Sequence, residues 1–249
     1  MRFITFLIII FFLSACQKDA NPTNRIDYTQ IKIYDSIQAS RKIESIVKPY
    51  RNKIKSEMNK ALAYSPQSLY KTDGSLNTPI SNLMADAVLK MSAPIFKNRQ
   101  QKEIDAVLLN YGGIRAGINK GKVSVRTAYN IMPFENNVVI AELKASSVHK
   151  MIDYLVKAKK AHPIAGLQIR LNENGALQSA NIDNQPIHEN ETYYIATSDY
   201  LFNGGDNMKF FKEAVSSYDI DYKLRNLFID YFLEQDTLQV IQDDRFIQK

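Results

Sequence analysis

The run Asn110-Tyr111-Gly112-Gly113-Ile114-Arg115 places a side-chain amide, two glycines and a guanidinium in one short stretch. Without a Cβ, Gly112 and Gly113 let the backbone approach a bound molecule closely. Asn110 offers donors and an acceptor, and Arg115 a forked donor for phosphate or hydroxyl oxygens. The combination makes a poor core element and a good ligand cradle. Two further segments have the same character: Met132-Pro133-Phe134-Glu135-Asn136-Asn137 and Asp199-Tyr200-Leu201-Phe202-Asn203-Gly204-Gly205-Asp206. Each sets an aromatic ring into turn chemistry. Phe134 and Tyr200 either pack into a core or offer a stacking face. Asn110 is either a turn stabiliser or an edge contact, Arg115 a surface charge or an anion contact, and Asp206 a helix N-cap or a ligand acceptor.

The elements that must hold these segments are short strands. Ile104 to Leu109 is an apolar run of strand length, so Asn110 and Arg115 flank the turn at its end. Val138 to Leu143 is a β-branched run just after the Phe134 loop, and it feeds a helix with Val148, Met151, Ile152 and Leu155 on one face. Thr192 to Thr197 leads straight into the Tyr200 segment, and Leu167 to Leu171 alternates as a strand does. Ligands gather at such strand ends. Thr78-Pro79 reads as a helix start with Thr as N-cap, burying Ile80, Leu83, Met84, Ala87, Val88 and Met91. Asp86, on its flank, either ties a neighbouring loop or serves a site. Arg41 to Leu62 reads as a helix that packs or links, with an apolar stripe of Ile43, Ile46, Val47, Ile54 and Met58 that Pro49 kinks or divides. A last helix, Tyr222 to Leu233, buries Leu224, Leu227, Phe228 and Phe232. The irregular alternation gives an α+β chain with helices flanking mixed sheets.

Hydrophobic residues make up 45% of the 249-residue chain, enough for a sizeable core, and 23% are charged, which suits a solvated surface. A net charge of +6 favours the approach of anionic small molecules. The basic residues are spread without an aromatic-interleaved cluster, which argues against nucleic acid as the partner.

Met1-Arg2, the apolar run Phe3 to Leu13 and the ending Leu13-Ser14-Ala15-Cys16 read as a lipoprotein signal. A run of about 11 residues falls short of the ~20 that span a bilayer. Residues 1–15 are expected to be cleaved and Cys16, the only cysteine, to be acylated. Residues 16–26 read as a tether, and residues 27–249 as a single domain. Gln17-Lys18-Asp19 resembles the charged tether of lipoproteins carried to the outer face of an outer membrane. The expected location is therefore the outer membrane, on its periplasmic or surface side.

Taken together, the N-x-G-G-I-R, P-F and N-G-G-D segments resemble, in order and spacing, the C-terminal domain of the 5'-nucleotidase family. Thr78-Pro79-Ile80-Ser81-Asn82-Leu83 with Asp86-Ala87 resembles that family's x-G-N-L-x-x-D-A helix, with Ser81 in place of glycine. The resemblance implies a four-layer α/β/β/α fold with mixed sheets. It also implies that Phe134 and Tyr200 sandwich a base, that Asn110 meets the base edge, and that Arg115 meets phosphate or ribose. Gly112, Gly113, Asn203, Gly204 and Gly205 shape the substrate contact, and Asp206 accepts from ribose hydroxyls. A basic residue that the family carries before its helix has no counterpart in Asp73 to Asn77, which leaves one phosphate contact open.

Full-length members of that family cut phosphoesters with a two-metal domain rich in Asp, His and Asn ligands. Here the three histidines, His149, His162 and His188, lack any paired ligand spacing. The chain is thus expected to carry no cofactor and no catalytic residue, divalent metals belonging to a partner. The expected function is recognition of a nucleotide or nucleoside, with a separately encoded metallophosphatase performing dephosphorylation. The alternatives are a free-standing nucleoside-scavenging lipoprotein and a purely structural one.

Overall fold

A computed structural model of the protein describes residues 28–249. The signal segment 1–15, Cys16 and the tether 16–26 lie outside the described residues. The chain divides at Lys48 and Pro49, and residues 49–249 form one compact unit.

The first helix, α1 (Arg41–Met58), is shorter than the sequence reading because Ala61–Ser65 (β1) pairs antiparallel with Gly121–Ser124 (β3). Of the two roles expected for α1, packing or linking, it does not take the first, since it buries no residue: Ile43, Ile46, Tyr50 and Ile54 all stay exposed. Its amphipathic pattern fixes which side is apolar without fixing what covers it.

Helix α2 (Pro79–Gln100) starts as expected, with Thr78 in extended geometry accepting from the Ser81 N–H at 3.3 Å and Pro79 in the first turn. It stops at Gln101, whose left-handed backbone turns its N–H back to the Lys97 carbonyl. The central sheet has the order β10 (Ser216–Lys223), β4 (Asn137–Lys144), β9 (Thr192–Ser198), β2 (Ala106–Leu108), β5 (Ile164–Ala165). Only the β9 and β2 pair in it is parallel. A smaller mixed sheet has the order β11 (Phe246–Gln248), β6 (Leu167–Leu171), β7 (Leu177–Ile182), β8 (Gln185–Pro186).

Alternation along the central strands divides the interior. Val138 and Ile140 of β4, Val107 of β2 and Ala196 of β9 face a cluster built with α2, the short helix α3 (Val125–Ile131) and α6 (Leu224–Leu233). Ala141, Leu143, Ala106, Leu108 and Ile195 face the opposite cluster, shared by helix α4 (Ala145–Ala158) and the smaller sheet through Leu167, Ile169 and Leu171. The chain thus adopts the expected mixture of helices and mixed sheets. Asp86 ties a loop, as one reading of its helix-flank position held: Arg245 grips its carboxylate with two bonds at 2.8 and 3.0 Å.

Candidate functional site

Four strand termini meet at one edge of the central sheet. Parallel β2 and β9 finish side by side, antiparallel β4 begins opposite the end of β9 at the Val138–Ser198 pair, and β10 ends opposite Asn137. The segments at these ends enclose a cavity of about 330 Å3 lined by Asn110, Gly112, Gly113 and Arg115 from one loop, Phe134 and Asn136 from the second, and Tyr200 and Asp206 from the third. Leu109, Met132, Ser198 and Leu224 complete the wall.

Residues Tyr111–Gly113 form one 3-10 turn, with the Gly113 N–H donating to the Asn110 carbonyl at 3.0 Å. The Asn110 amide folds back over that turn: a Cβ on Gly113 would lie 2.6 Å from its Oδ1. A side chain at Gly113 would displace the amide from the position in which it reaches across the cavity. There Asn110 Nδ2 donates to Asp206 Oδ2 at 2.6 Å, while the Tyr200 hydroxyl donates to Asp206 Oδ1 at 2.9 Å. That bond raises the Tyr200 phenol above its ordinary pKa. Asp206 stands at φ 50°, its backbone carbonyl held by the Tyr154 hydroxyl at 3.0 Å. It does not cap the following 3-10 turn, Lys209–Glu213, whose N-cap is Met208. The N-cap reading of Asp206 gives way to a hub joining two loops.

Asn203, Gly204 and Gly205 stand behind Tyr200, outside the cavity wall. The Asn203 amide donates to the Asp199 carbonyl at 2.8 Å and closes the short helix α5 (Asp199–Phe202). A Cβ on Gly205 would meet the Tyr200 ring at 2.5 Å, so the ring rests directly on that backbone.

Phe134 is 40% and Tyr200 47% exposed, so neither is a core residue. The Arg115 guanidinium carbon lies 5.9 Å from the Phe134 ring centre. The Phe134 loop hangs on Arg225, whose side chain is 7% exposed and donates to the carbonyls of Pro133 at 3.2 Å and Phe134 at 3.4 Å while pairing with Glu135. Arg225 also covers the Tyr129 ring at 4.2 Å. Arg225 first, and Lys223 second, hold the Glu135 carboxyl down at about 2. Sequence reasoning missed Arg225, since one arginine in Leu224-Arg225-Asn226-Leu227 looks like a solvated helix position.

His162 likewise has no role in the sequence reading. It is buried, and Nδ1 accepts from the Tyr111 N–H at 3.1 Å. Burial lowers its pKa, which keeps the ring neutral and able to accept. Lys71 reaches the same turn, donating to the Ile114 carbonyl at 3.0 Å and lying 4.6 Å from the Tyr111 ring centre. It lies two positions before Asp73, just outside the Asp73 to Asn77 stretch that lacks a cation. Ser81, in the place of the expected glycine, is buried and donates to the Ala161 carbonyl at 2.7 Å. Among the described residues no three His, Cys, Asp or Glu side chains gather as a metal site; His149 pairs with Glu189 at 3.0 Å.

Residues 60–213 match the family described as 5'-nucleotidase, C-terminal domain. The trifunctional nucleotide phosphoesterase protein YfkN of Bacillus subtilis strain 168 is 24% identical over 241 residues, 88% of this chain and 16% of that protein. Protein UshA of Escherichia coli K12 is 30% identical over 108 residues, covering 41% of this chain and 19% of its own length. Among solved structures, a 5'-nucleotidase precursor from Thermus thermophilus superposes with a TM-score of 0.69 at 22% identity, over 82% of this chain and 42% of that one. The chain spans less than half the length of each of these proteins.

Proposed function

Because this chain belongs to the family of 5'-nucleotidase C-terminal domains, we propose that its cavity binds a nucleotide or nucleoside and serves nucleotide dephosphorylation. The observation that carries this reading is the pair of half-exposed rings, Phe134 and Tyr200, on one cavity with Asn110, Arg115 and Asp206. A base is a flat plate with polar edges, and each stacking contact with an aromatic contributes about 1–3 kcal/mol. Asn110 can turn from Asp206 to a base edge, Asp206 can accept from sugar hydroxyls, and Arg115 can fork onto phosphate.

Hydrolysis itself is assigned to a separate metallophosphatase that presents its metals to the bound phosphate. Two of the chain's three histidines support this division: His149 is taken by Glu189 and His162 by a backbone N–H. Cys16 carries the lipid that holds the protein at the outer membrane, and Cys16→Ser is expected to release it from the membrane fraction. Normal lipid labelling of that variant would refute the anchor.

Calorimetric titration of the chain from residue 16 onward with AMP and adenosine tests the recognition role, followed by an AMPase assay with Mg²⁺, Mn²⁺ or Zn²⁺. Binding without turnover is expected. No binding of either ligand at millimolar concentration overturns the reading. Turnover lost on mutation of one of this chain's own residues overturns the division of labour.

A further inference from the structure

Helix α1 is the feature that nucleotide recognition leaves unused. At 100° per residue, Ile46, Tyr50, Ile43, Ile54 and Val47 fall within an arc of roughly 100°. Every one of them is exposed, from 39% at Val47 to 68% at Tyr50. Lys42 and Lys53 border one edge of that arc, Arg51 and Lys55 flank Glu44 at the other, and Glu57 falls inside the arc in the last turn. The helix holds six basic residues against Glu44 and Glu57. An apolar stripe with a tyrosine in it, bordered mainly by cations on a helix of net positive charge, is the pattern of a helix lying in a lipid interface. Exposed apolar side chains also precede it at Ile31, Ile33, Tyr34 and Ile37. A core helix would not need cations at both borders, and a solvated helix would not need the stripe.

We propose that α1 is a membrane-surface element, lying parallel to an anionic lipid surface with Ile43, Ile46, Val47, Tyr50 and Ile54 in the interface and its lysines and arginines at the headgroups. Charge complementarity selects anionic lipid as the occupant of this face. Proximity strengthens the choice. Roughly 25 residues separate Cys16 from Arg41, so an acylated Cys16 keeps the helix within about 85 Å of the bilayer even at full extension. In this respect the inference rests on the lipid-anchor reading; the helix's own affinity for lipid does not.

The test uses residues 16–249 with Cys16→Ser, so that no acyl chain contributes. Flotation is measured with vesicles of phosphatidylcholine containing 30% phosphatidylglycerol, and with pure phosphatidylcholine. The expected result is binding to the anionic vesicles only, weakened by 0.5 M NaCl. Each of Lys42→Gln, Lys53→Gln and Lys55→Gln should lower partitioning about fivefold. The pair Ile46→Glu with Ile54→Glu should abolish it without shifting the melting temperature, since neither side chain is buried. Absence of flotation on anionic vesicles, or flotation untouched by the Ile46 and Ile54 changes, overturns the proposal. So does a soluble dimer that those changes dissolve while the parent fails to float, which would assign the stripe to a protein partner. Lipid labelling of Cys16 in cells reads the anchor separately, so either idea can fail alone.

Discussion

Replacing Phe134 by alanine separates a stacking ring from a packed one. At 40% exposure, roughly three-fifths of the residue's surface is out of water. Full burial of such a side chain contributes about 1.5–3 kcal/mol, so its share here is about 1–2 kcal/mol. The ring borders an open cavity, and its removal leaves no sealed void to add a cavity penalty. A stability loss of about 1–2 kcal/mol is expected, or about 2–8 °C for a domain of this size, against the 3–5 kcal/mol of a core Phe→Ala change. Loss of one stacking contact of about 1–3 kcal/mol should weaken AMP and adenosine alike, by roughly 5- to 150-fold. Phe134→Leu sharpens the comparison, since it keeps apolar volume but offers no aromatic face: it should retain stability and still lose affinity. Tyr200→Ala should mirror Phe134→Ala, with the added loss of the bond to Asp206. Calorimetric titration beside thermal melts of each variant makes the comparison. A loss of 3–5 kcal/mol in folding with unchanged affinity of the folded fraction would refute the stacking argument, as would full affinity in Phe134→Leu.

Arg115→Ala should weaken AMP more than adenosine, because its charge-assisted bond to phosphate exists only for the former; equal losses in paired titrations would remove phosphate from its role. Arg225→Met removes the donor to the Pro133 and Phe134 carbonyls, so it should cost about 1–3 kcal/mol and lower affinity though it touches no ligand. Rescue of that affinity by Arg225→Lys would show that charge alone, rather than the forked geometry, holds the loop. His162 has its folded pKa pushed below the ordinary 6.5, so the unfolded chain takes up the proton first as pH falls. Its contribution is complete above about pH 6.5 and is lost progressively below it, when the protonated ring can no longer accept from the Tyr111 N–H. Urea midpoints between pH 8 and 5 should fall more steeply for the parent than for His162→Asn, and parallel curves would remove His162 from the account. Asp86→Ala leaves the nearly buried Arg245 with Asp243 as its remaining acid, and should cost about 1–3 kcal/mol in a thermal melt without altering ligand affinity.

Much of the architecture around the cavity follows from local rules. The β-branched run at Val138 to Leu143 and the apolar run before Asn110 are legible as strands because side chains alternate along them, and the burial of Ile140 on one face and Ala141 on the other repeats that alternation. Thr78-Pro79 is legible as a helix start because capping is decided within one turn. Arg225 could not be found this way. Its partner carbonyl at Phe134 lies 91 residues earlier, and nothing beside it in sequence says that the helix end it occupies packs beneath that loop. The same limit explains α1, where an apolar stripe reads as a packing face although no described residue buries it.

Asp206 shows why the three loop motifs carry more together than singly. As one residue after Gly204-Gly205 it fits a helix cap as well as a ligand contact, and the two readings are equal in local terms. The structure separates them through an amide 96 positions upstream and a hydroxyl six positions upstream, both donating to its carboxylate. Asn110 follows the end of β2 and Asp206 lies in the segment that follows β9, and those strands are parallel neighbours, so the two segments must emerge on the same side. The Phe134 loop joins them because β4 runs antiparallel to β9 and begins where β9 stops. Strand direction thus converts three segments far apart in sequence into one cavity wall.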